Sequence, residues 1–348
     1  MIRVLLAEDS AVQREFLSYV LETAETFEIV GKAVDGAEAI KLAGEVKPDV
    51  ILMDCHMPKV DGIEATRIIM ETCPVPIVVA SARSEARDVQ ITFEAIQNGA
   101  LAVVSKPPDL GSPDFDRVAD ELVRTLRLMS DVKVVRRWPR DKRLSATRER
   151  AAMLPSPRVI VIAGSTGAPG AIAEILTGLG RGTWPPILLV QHIAEGFVEG
   201  FALWLAAHTG VDVHVAADGM TAKPGNLYIA PDGTQMSIER PCVIRLDSSA
   251  PPEDGFRPSG TFLLRSAAHN FGRLAMGIVL TGMGRDGVAG LVELQGAGAV
   301  TVAQDEESCV VFGMSKEAIA ANAAAHVLSP EGIVNLIKDF SPTPLTRT

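Results

Sequence analysis

No apolar run in this 348-residue chain approaches the roughly 18 residues that would span a bilayer. The opening stretch, MIRVLLAEDS, has one basic residue and a four-residue apolar run before two acids. It lacks the long apolar region and cleavage site of a secretory signal. The four cysteines, Cys55, Cys73, Cys242 and Cys309, form no Cys-x-x-Cys pair. That spacing argues against a disulfide framework or a zinc site and fits a reducing cytoplasm. Wholesale disorder is excluded as well, because 47% of residues are hydrophobic and only 22% charged. What is present is length: single cores rarely grow past about 250–300 residues, so two domains are expected.

The formal charge of −10 is unevenly spread. Residues 1–126 carry 12 Lys/Arg and 22 Asp/Glu, and residues 159–348 carry 11 and 18. Between them, residues 131–158 carry 9 basic and 3 acidic residues. This strip contains prolines and lacks apolar periodicity, as a linker does. It reads either as a solvated tether or as a segment lying against an acidic surface. In the second reading Arg136, Arg137, Arg140 and Arg143 help hold two acidic domains together. Nucleic-acid binding is not expected, since neither flanking block is basic and no recognition motif accompanies the strip.

In residues 1–126, short apolar runs alternate with helical patterns. IRVLLA ends at Glu8-Asp9, VILMD at Asp54, PIVVAS at Ser81 and LAVVSK near Lys106. Helical stretches intervene around 36–46, 62–72, 85–98 and 113–129. Such alternation predicts a parallel sheet covered on both faces. Functional groups then collect beyond the carboxyl ends of the strands. Three acids, a hydroxyl and a lysine on four strand ends suit a hard divalent cation and a phosphoryl group, better than a merely structural ion-pair cluster.

These residues, with D-x-x-M-P-x-x-D-G at 54–62 and Lys106-Pro107, resemble the receiver domain of two-component response regulators. The resemblance implies a flavodoxin-like (βα)5 fold with Asp54 as phosphoacceptor. It implies Mg²⁺ bound by Asp9, Asp54 and the backbone carbonyl of His56, with Glu8 acting mainly through water. Ser81 would be the switch hydroxyl and Lys106 the phosphate partner. Receivers usually carry an aromatic switch residue three positions before the lysine, where this chain has Val103.

In the second block, the strand RVIVIA runs into Gly164-Ser165-Thr166-Gly167-Ala168-Pro169-Gly170, and a helix follows. A serine on such a turn sits at a helix N-terminus, where backbone N–H groups stabilise developing negative charge. The turn could also be structural, or a dinucleotide loop. The latter expects an acid at the end of the next strand, but PILLV ends in Gln191-His192. His192 is instead placed as a base for Ser165. The other histidines, His208, His214, His269 and His326, sit in or beside apolar segments and read as structural. An acid is needed to orient His192. The strand AMGIVLTG leads to Asp286, with Asp305 as a rival after VTVAQD. Asp286 is preferred for its glycine-rich loop, although an acid at a helix start can simply be an N-cap. The order Ser, His, Asp and the absence of G-x-S-x-G exclude an ordinary α/β-hydrolase.

AGSTGAPGAI, VQHIAEGF, GNLYIAPDG, FRPSGTFLLRSAA and LTGMGRDGVAGL extend the resemblance over essentially the whole chain. It is to the chemotaxis-type protein-glutamate methylesterases. That resemblance implies a receiver at 1–126, a linker at 127–157, and a tail at 342–348. Between linker and tail, at 158–341, it implies a mostly parallel, doubly wound α/β catalytic domain with a short β-hairpin region. Ser165, His192 and Asp286 would form a triad, and the backbone at Thr166 and Met283 would help build the oxyanion site. The substrates would be methyl-accepting chemoreceptors, the phosphodonor a chemotaxis-type histidine kinase, and no cofactor would serve the ester chemistry. The protein would be cytoplasmic and peripheral to membrane-bound receptors. Many members also deamidate receptor glutamines. The unphosphorylated receiver would restrict access to Ser165, and phosphorylation of Asp54 would relieve it.

Overall fold

A computed structural model of the protein describes residues 1–81, 86–132, 134 and 156–340. The four linker arginines and the 342–348 tail lie outside the described residues. The chain divides into two compact units, Met1–Asp141 and Lys142–Thr348. The first holds β1 (Ile2–Ala7), α1 (Ala11–Thr23), β2 (Phe27–Ala33), α2 (Gly36–Val46) and β3 (Val50–Asp54). It continues through α3 (Gly62–Thr72), β4 (Ile77–Ser81), α4 (Ala86–Gln97), β5 (Ala102–Ser105) and α5 (Phe115–Ser130). The strands form one parallel sheet in the order β2-β1-β3-β4-β5. β3 is buried along its whole length, as a run of Val, Ile, Leu and Met covered on both faces must be.

Local chemistry starts and stops these helices. Ser10, Asp35 and Asp61 each cap a helix by accepting from the backbone N–H three residues on. Glu38 reaches back to the Val34 N–H at 2.9 Å, so the start of α2 is pinned twice. α5 buries Val118, Leu122, Leu126 and Met129, which recur at helical spacing. It runs four residues past the boundary at 126 read from the sequence, because Met129 still packs inward.

The second unit begins with β6 (Val159–Gly164), α6 (Ala168–Leu179), β7 (Ile187–Gln191), α7 (Val198–Thr209), β8 (Asp212–Val215) and β9 (Asn226–Ile229). A hairpin of β10 (Gln235–Glu239) and β11 (Val243–Asp247) follows, then α8 (Gly260–Phe271), β12 (Ala275–Val279) and α9 (Val288–Gly296). β13 (Val300–Gln304), α10 (Met314–Ala320), β14 (His326–Leu328) and α11 (Pro330–Phe340) complete it. Seven parallel strands lie in the order β14-β13-β12-β6-β7-β9-β8. The chain leaves β6 toward β7 on one side and later returns to β12 on the other. This reversal opens a crevice beyond the carboxyl ends of β12, β6 and β7. β12 is shorter than the sequence suggested: it ends at Val279, and Gly282 bridges to Phe312 instead.

Candidate active site

Ser165 follows β6, His192 follows β7 and Asp286 follows β12, so three neighbouring strands deliver the three residues to one crevice. The backbones of two of them are stitched together. The His192 N–H donates to the Gly164 carbonyl at 2.9 Å, and the buried Gln191 amide donates to the carbonyls of Ser165 and His192. Gly164 and Gly167 permit the tight turn. A Cβ on Gly164 would lie 2.6 Å from that of Ala168, and Gly167 has φ +82° with no room beside Val310.

His192 Nε2 and Asp286 Oδ2 are 2.8 Å apart. Asp286 is almost fully buried, which works against its charge, yet its partners prevail. The His192 ring is the strongest, joined by the Ser259 hydroxyl and the Thr261 N–H, and the carboxyl pKa falls to about 2. Gly260 and Gly287 donate their N–H groups as well. A carboxylate that accepts several backbone N–H groups is held ionised in this way. With Nε2 facing Asp286, the other imidazole nitrogen, Nδ1, is buried and has no hydrogen-bond partner among the described residues. The rival acid, Asp305, instead accepts from the backbone and hydroxyl of Ser308.

The Ser165 N–H is committed to the Thr281 carbonyl at 3.1 Å, so it is not free to serve an oxyanion. Among the described residues no hydrogen bond uses the N–H of Thr166 or of Met283. Both residues are half-buried. Gly282 lies directly against the serine: a Cβ there would sit 2.5 Å from Ser165 Cβ.

Sequence reasoning overlooked the groups around Asp286. Ser259 caps α8 and donates its hydroxyl to Asp286 Oδ1 at 2.7 Å. The signal was available, since Pro258-Ser259-Gly260 before an apolar helical run marks a helix start. It gave no hint of the partner. Thr281, fully buried, was also missed. Its hydroxyl bridges to the Thr166 and Val311 carbonyls, and its N–H donates to Gln304.

In the first unit, Glu8, Asp9 and Asp54 place carboxylate oxygens within 4.8 Å of one another. Lys106 Nζ lies 2.7 Å from Glu8 and 2.9 Å from Asp54. Burial raises the Glu8 pKa, and the neighbouring Asp54 adds to the rise while Lys106 opposes it. Lys106 pays for its own burial, but Asp54 and Glu8 more than compensate and raise its pKa. Ser81 ends β4 and its hydroxyl accepts from Thr92 on α4 at 3.1 Å. His56 follows Asp54 by two residues, with an exposed side chain. Val103 lies half-buried in β5. An all-oxygen set of three carboxylates with one exposed member fits a hard divalent cation that keeps some of its waters. Sequence missed how tightly Gly62 closes this site: a Cβ there would lie 1.9 Å from the Asp54 carbonyl oxygen.

Comparison with known proteins agrees with both units. Residues 160–337 match the family model of the CheB methylesterase, and residues 4–112 match that of the response regulator receiver domain. A protein-glutamate methylesterase/protein-glutamine glutaminase of Nitrosospira multiformis is 44% identical, over 99% of each chain. One from Geobacter metallireducens is 42% identical, over 98% of this chain and 99% of that protein. The crystal structure of the Thermotoga maritima CheB methylesterase catalytic domain is 34% identical with a TM-score of 0.51, covering 53% of this chain and 98% of that one. The crevice at the centre of a seven-stranded sheet, the acid cluster of a five-stranded one and these full-length likenesses lead to one assignment: the chain belongs to the CheB methylesterase family and carries a response regulator receiver domain ahead of its catalytic domain.

Proposed function

We propose that the protein is a phosphorylation-activated hydrolase that removes methyl esters from glutamates of chemoreceptors and deamidates receptor glutamines. The observation that carries this reading is the His192–Asp286 pair beside Ser165, with His192 Nδ1 uncommitted. The ionised Asp286 accepts the Nε2 proton of His192, which leaves the Nδ1 lone pair as the base. His192 takes the Ser165 proton as Oγ attacks the ester carbonyl carbon. The N–H groups of Thr166 and Met283 receive the developing oxyanion. The tetrahedral adduct collapses, the C–O bond to the methoxy group breaks, and His192 returns the proton to release methanol. Water, deprotonated by His192, then attacks the acyl-enzyme, frees the glutamate and restores Ser165. A glutamine side chain passes through the same steps with ammonia as the leaving group.

In the receiver, a histidine kinase of the chemotaxis type donates the phosphoryl group to an Asp54 carboxylate oxygen. Glu8, Asp9, Asp54 and the His56 carbonyl would hold Mg²⁺, which when bound neutralises charge on phosphoryl oxygens. Lys106 donates to one phosphoryl oxygen. Ser81 donates to another, leaving Thr92. No helix among the described residues is long and apolar enough to cross a membrane, and the protein acts in the cytoplasm on receptors it visits. The test is methanol release from a methylated receptor by wild type, Ser165→Ala and Asp54→Ala, with and without a small-molecule phosphodonor. Ser165→Ala is expected to lose activity by several powers of ten. Asp54→Ala is expected to keep basal activity and lose only the stimulation. Release that survives Ser165→Ala rejects the mechanism, and a wild type indifferent to phosphodonor rejects the activation scheme.

A further inference from the structure

We propose that Phe256 is a positioning residue for this hydrolysis and that residues 253–261 form one clamp on both His192 and Asp286. The inference rests on the proposed function. The Phe256 ring lies flat on the His192 ring, with centroids 3.8 Å apart and 7° between planes. Among the described residues His192 is hydrogen-bonded at one ring edge, through Nε2 to Asp286, and Nδ1 has no partner. A ring held at one edge can still swing about that contact. A flat face against it fixes the plane, and with it the direction of the Nδ1 lone pair toward its proton donor. When His192 becomes an imidazolium in the transition state, the same π face also stabilises the new charge.

The rest of the segment grips the acid. Within three residues, Ser259 Oγ, Gly260 N and Thr261 N all donate to the Asp286 carboxylate. The segment is itself fastened. Gln235, fully buried at the start of β10, donates to the Pro251 and Phe256 carbonyls and accepts from the Ser259 N–H at 2.8 Å. Glu253 and Phe256 exchange backbone hydrogen bonds of 3.0 and 2.9 Å. Glu253 pairs with Arg265, Asp254 accepts from the Thr261 hydroxyl, and Arg257 holds the Ser248 carbonyl. A loop that merely covered a core would not need to set an aromatic face on one member of the catalytic pair and three hydrogen-bond donors on the other.

The test compares Phe256→Leu, which keeps apolar bulk without a flat face, with Phe256→Tyr, which keeps the face. Methanol release by the full-length, phosphodonor-activated protein is measured on a methylated receptor, with Ser165→Ala alongside. Phe256→Leu is expected to lower kcat about tenfold with KM within about twofold of wild type. Phe256→Tyr is expected to recover kcat to within about threefold. Labelling of Ser165 by a fluorophosphonate should slow in Phe256→Leu by a factor similar to that in kcat. Should Phe256→Leu melt below the assay temperature, Phe256→Met carries the same comparison. The proposal is overturned if the aliphatic variant keeps kcat, if both variants are equally impaired, or if the loss lies in KM alone. An active Ser165→Ala protein would instead reject the hydrolytic reading itself.

Discussion

Asp286 shows how one buried carboxylate is kept charged and what that charge is for. Its donors hold the pKa at about 2 against an ordinary value of 3.8. A depressed folded pKa means stability that is present above the unfolded value and lost as pH falls through the folded one. The window is therefore about pH 4 down to about pH 2, and the shift corresponds to about 2 kcal/mol. Asp286→Asn should lack that component, so the gap in unfolding free energy between wild type and variant should narrow over this window in denaturant titrations. The same substitution offers an amide N–H₂ where backbone N–H groups need an acceptor, and kcat should fall about 10³–10⁴-fold. A fall under tenfold would mean that His192 needs no anionic partner. Glu8 is the opposite case. Burial, with Asp54 beside it, raises its pKa, so its charge costs stability as pH rises through that raised value. Glu8→Gln should raise the receiver's melting temperature at pH 7 without divalent cation. It should also shrink the rise that Mg²⁺ produces. An unchanged response to Mg²⁺ would remove Glu8 from the metal site.

The elements were legible wherever a strand was buried on both faces. VILMD and PILLV read as continuous apolar runs and fall in β3 and β7, and the strand ends read from the sequence put Asp54 on the last residue of β3 and Ser165, His192 and Lys106 just past β6, β7 and β5. β8, β9 and β14 escaped notice because they are three or four residues long, and β8 and β14, at the sheet edges, mix exposed and half-buried positions. Contacts across the sheet were not legible at all. Nothing in the local pattern says that Ser259 lies against Asp286, 27 residues away, or that Gly282 lies against Ser165. Gly282 gives this a test. It falls between β12 and α9, where the Ser165 N–H takes the Thr281 carbonyl and a Cβ would meet Ser165 Cβ at 2.5 Å and Met314 Sδ at 2.6 Å. Gly282→Ala should displace the β6–α6 turn and cut methanol release by at least about a hundredfold, since a misplacement near 1 Å has that effect. Gly284→Ala is the control. A Cβ at Gly284 meets nothing within 4 Å, so it clashes with no neighbour, although its φ of +90° also disfavours a side chain. Equal losses at both positions would mean backbone strain, not contact with Ser165, decides the outcome.

At the scale of the whole molecule, the charge of −10 is shared by two acidic units on either side of a basic strip. Each unit has its own sheet and its own core: Leu5, Ile51, Met53 and Val79 in one cluster, Val161, Leu188, Leu264 and Val279 in another. Two separate cores predict two cooperative transitions instead of one. The ligand of each unit then identifies its transition, because a ligand that binds only the folded state stabilises by RT ln(1 + [L]/Kd). Mg²⁺ should raise the transition that contains Glu8, Asp9 and Asp54 and leave the other in place. Covalent modification of Ser165 by a phosphonate should move the transition that Mg²⁺ leaves unchanged. Differential scanning calorimetry of the full-length protein reads both in one series. If Mg²⁺ and the Ser165 adduct shift the same single transition together, the two domains unfold as one unit and their cores are thermodynamically coupled. That coupling would supply a direct route by which a phosphoryl group on Asp54 alters the population of states at Ser165. Two independent transitions would mean that each core unfolds without the other and that neither ligand stabilises the unit it does not bind.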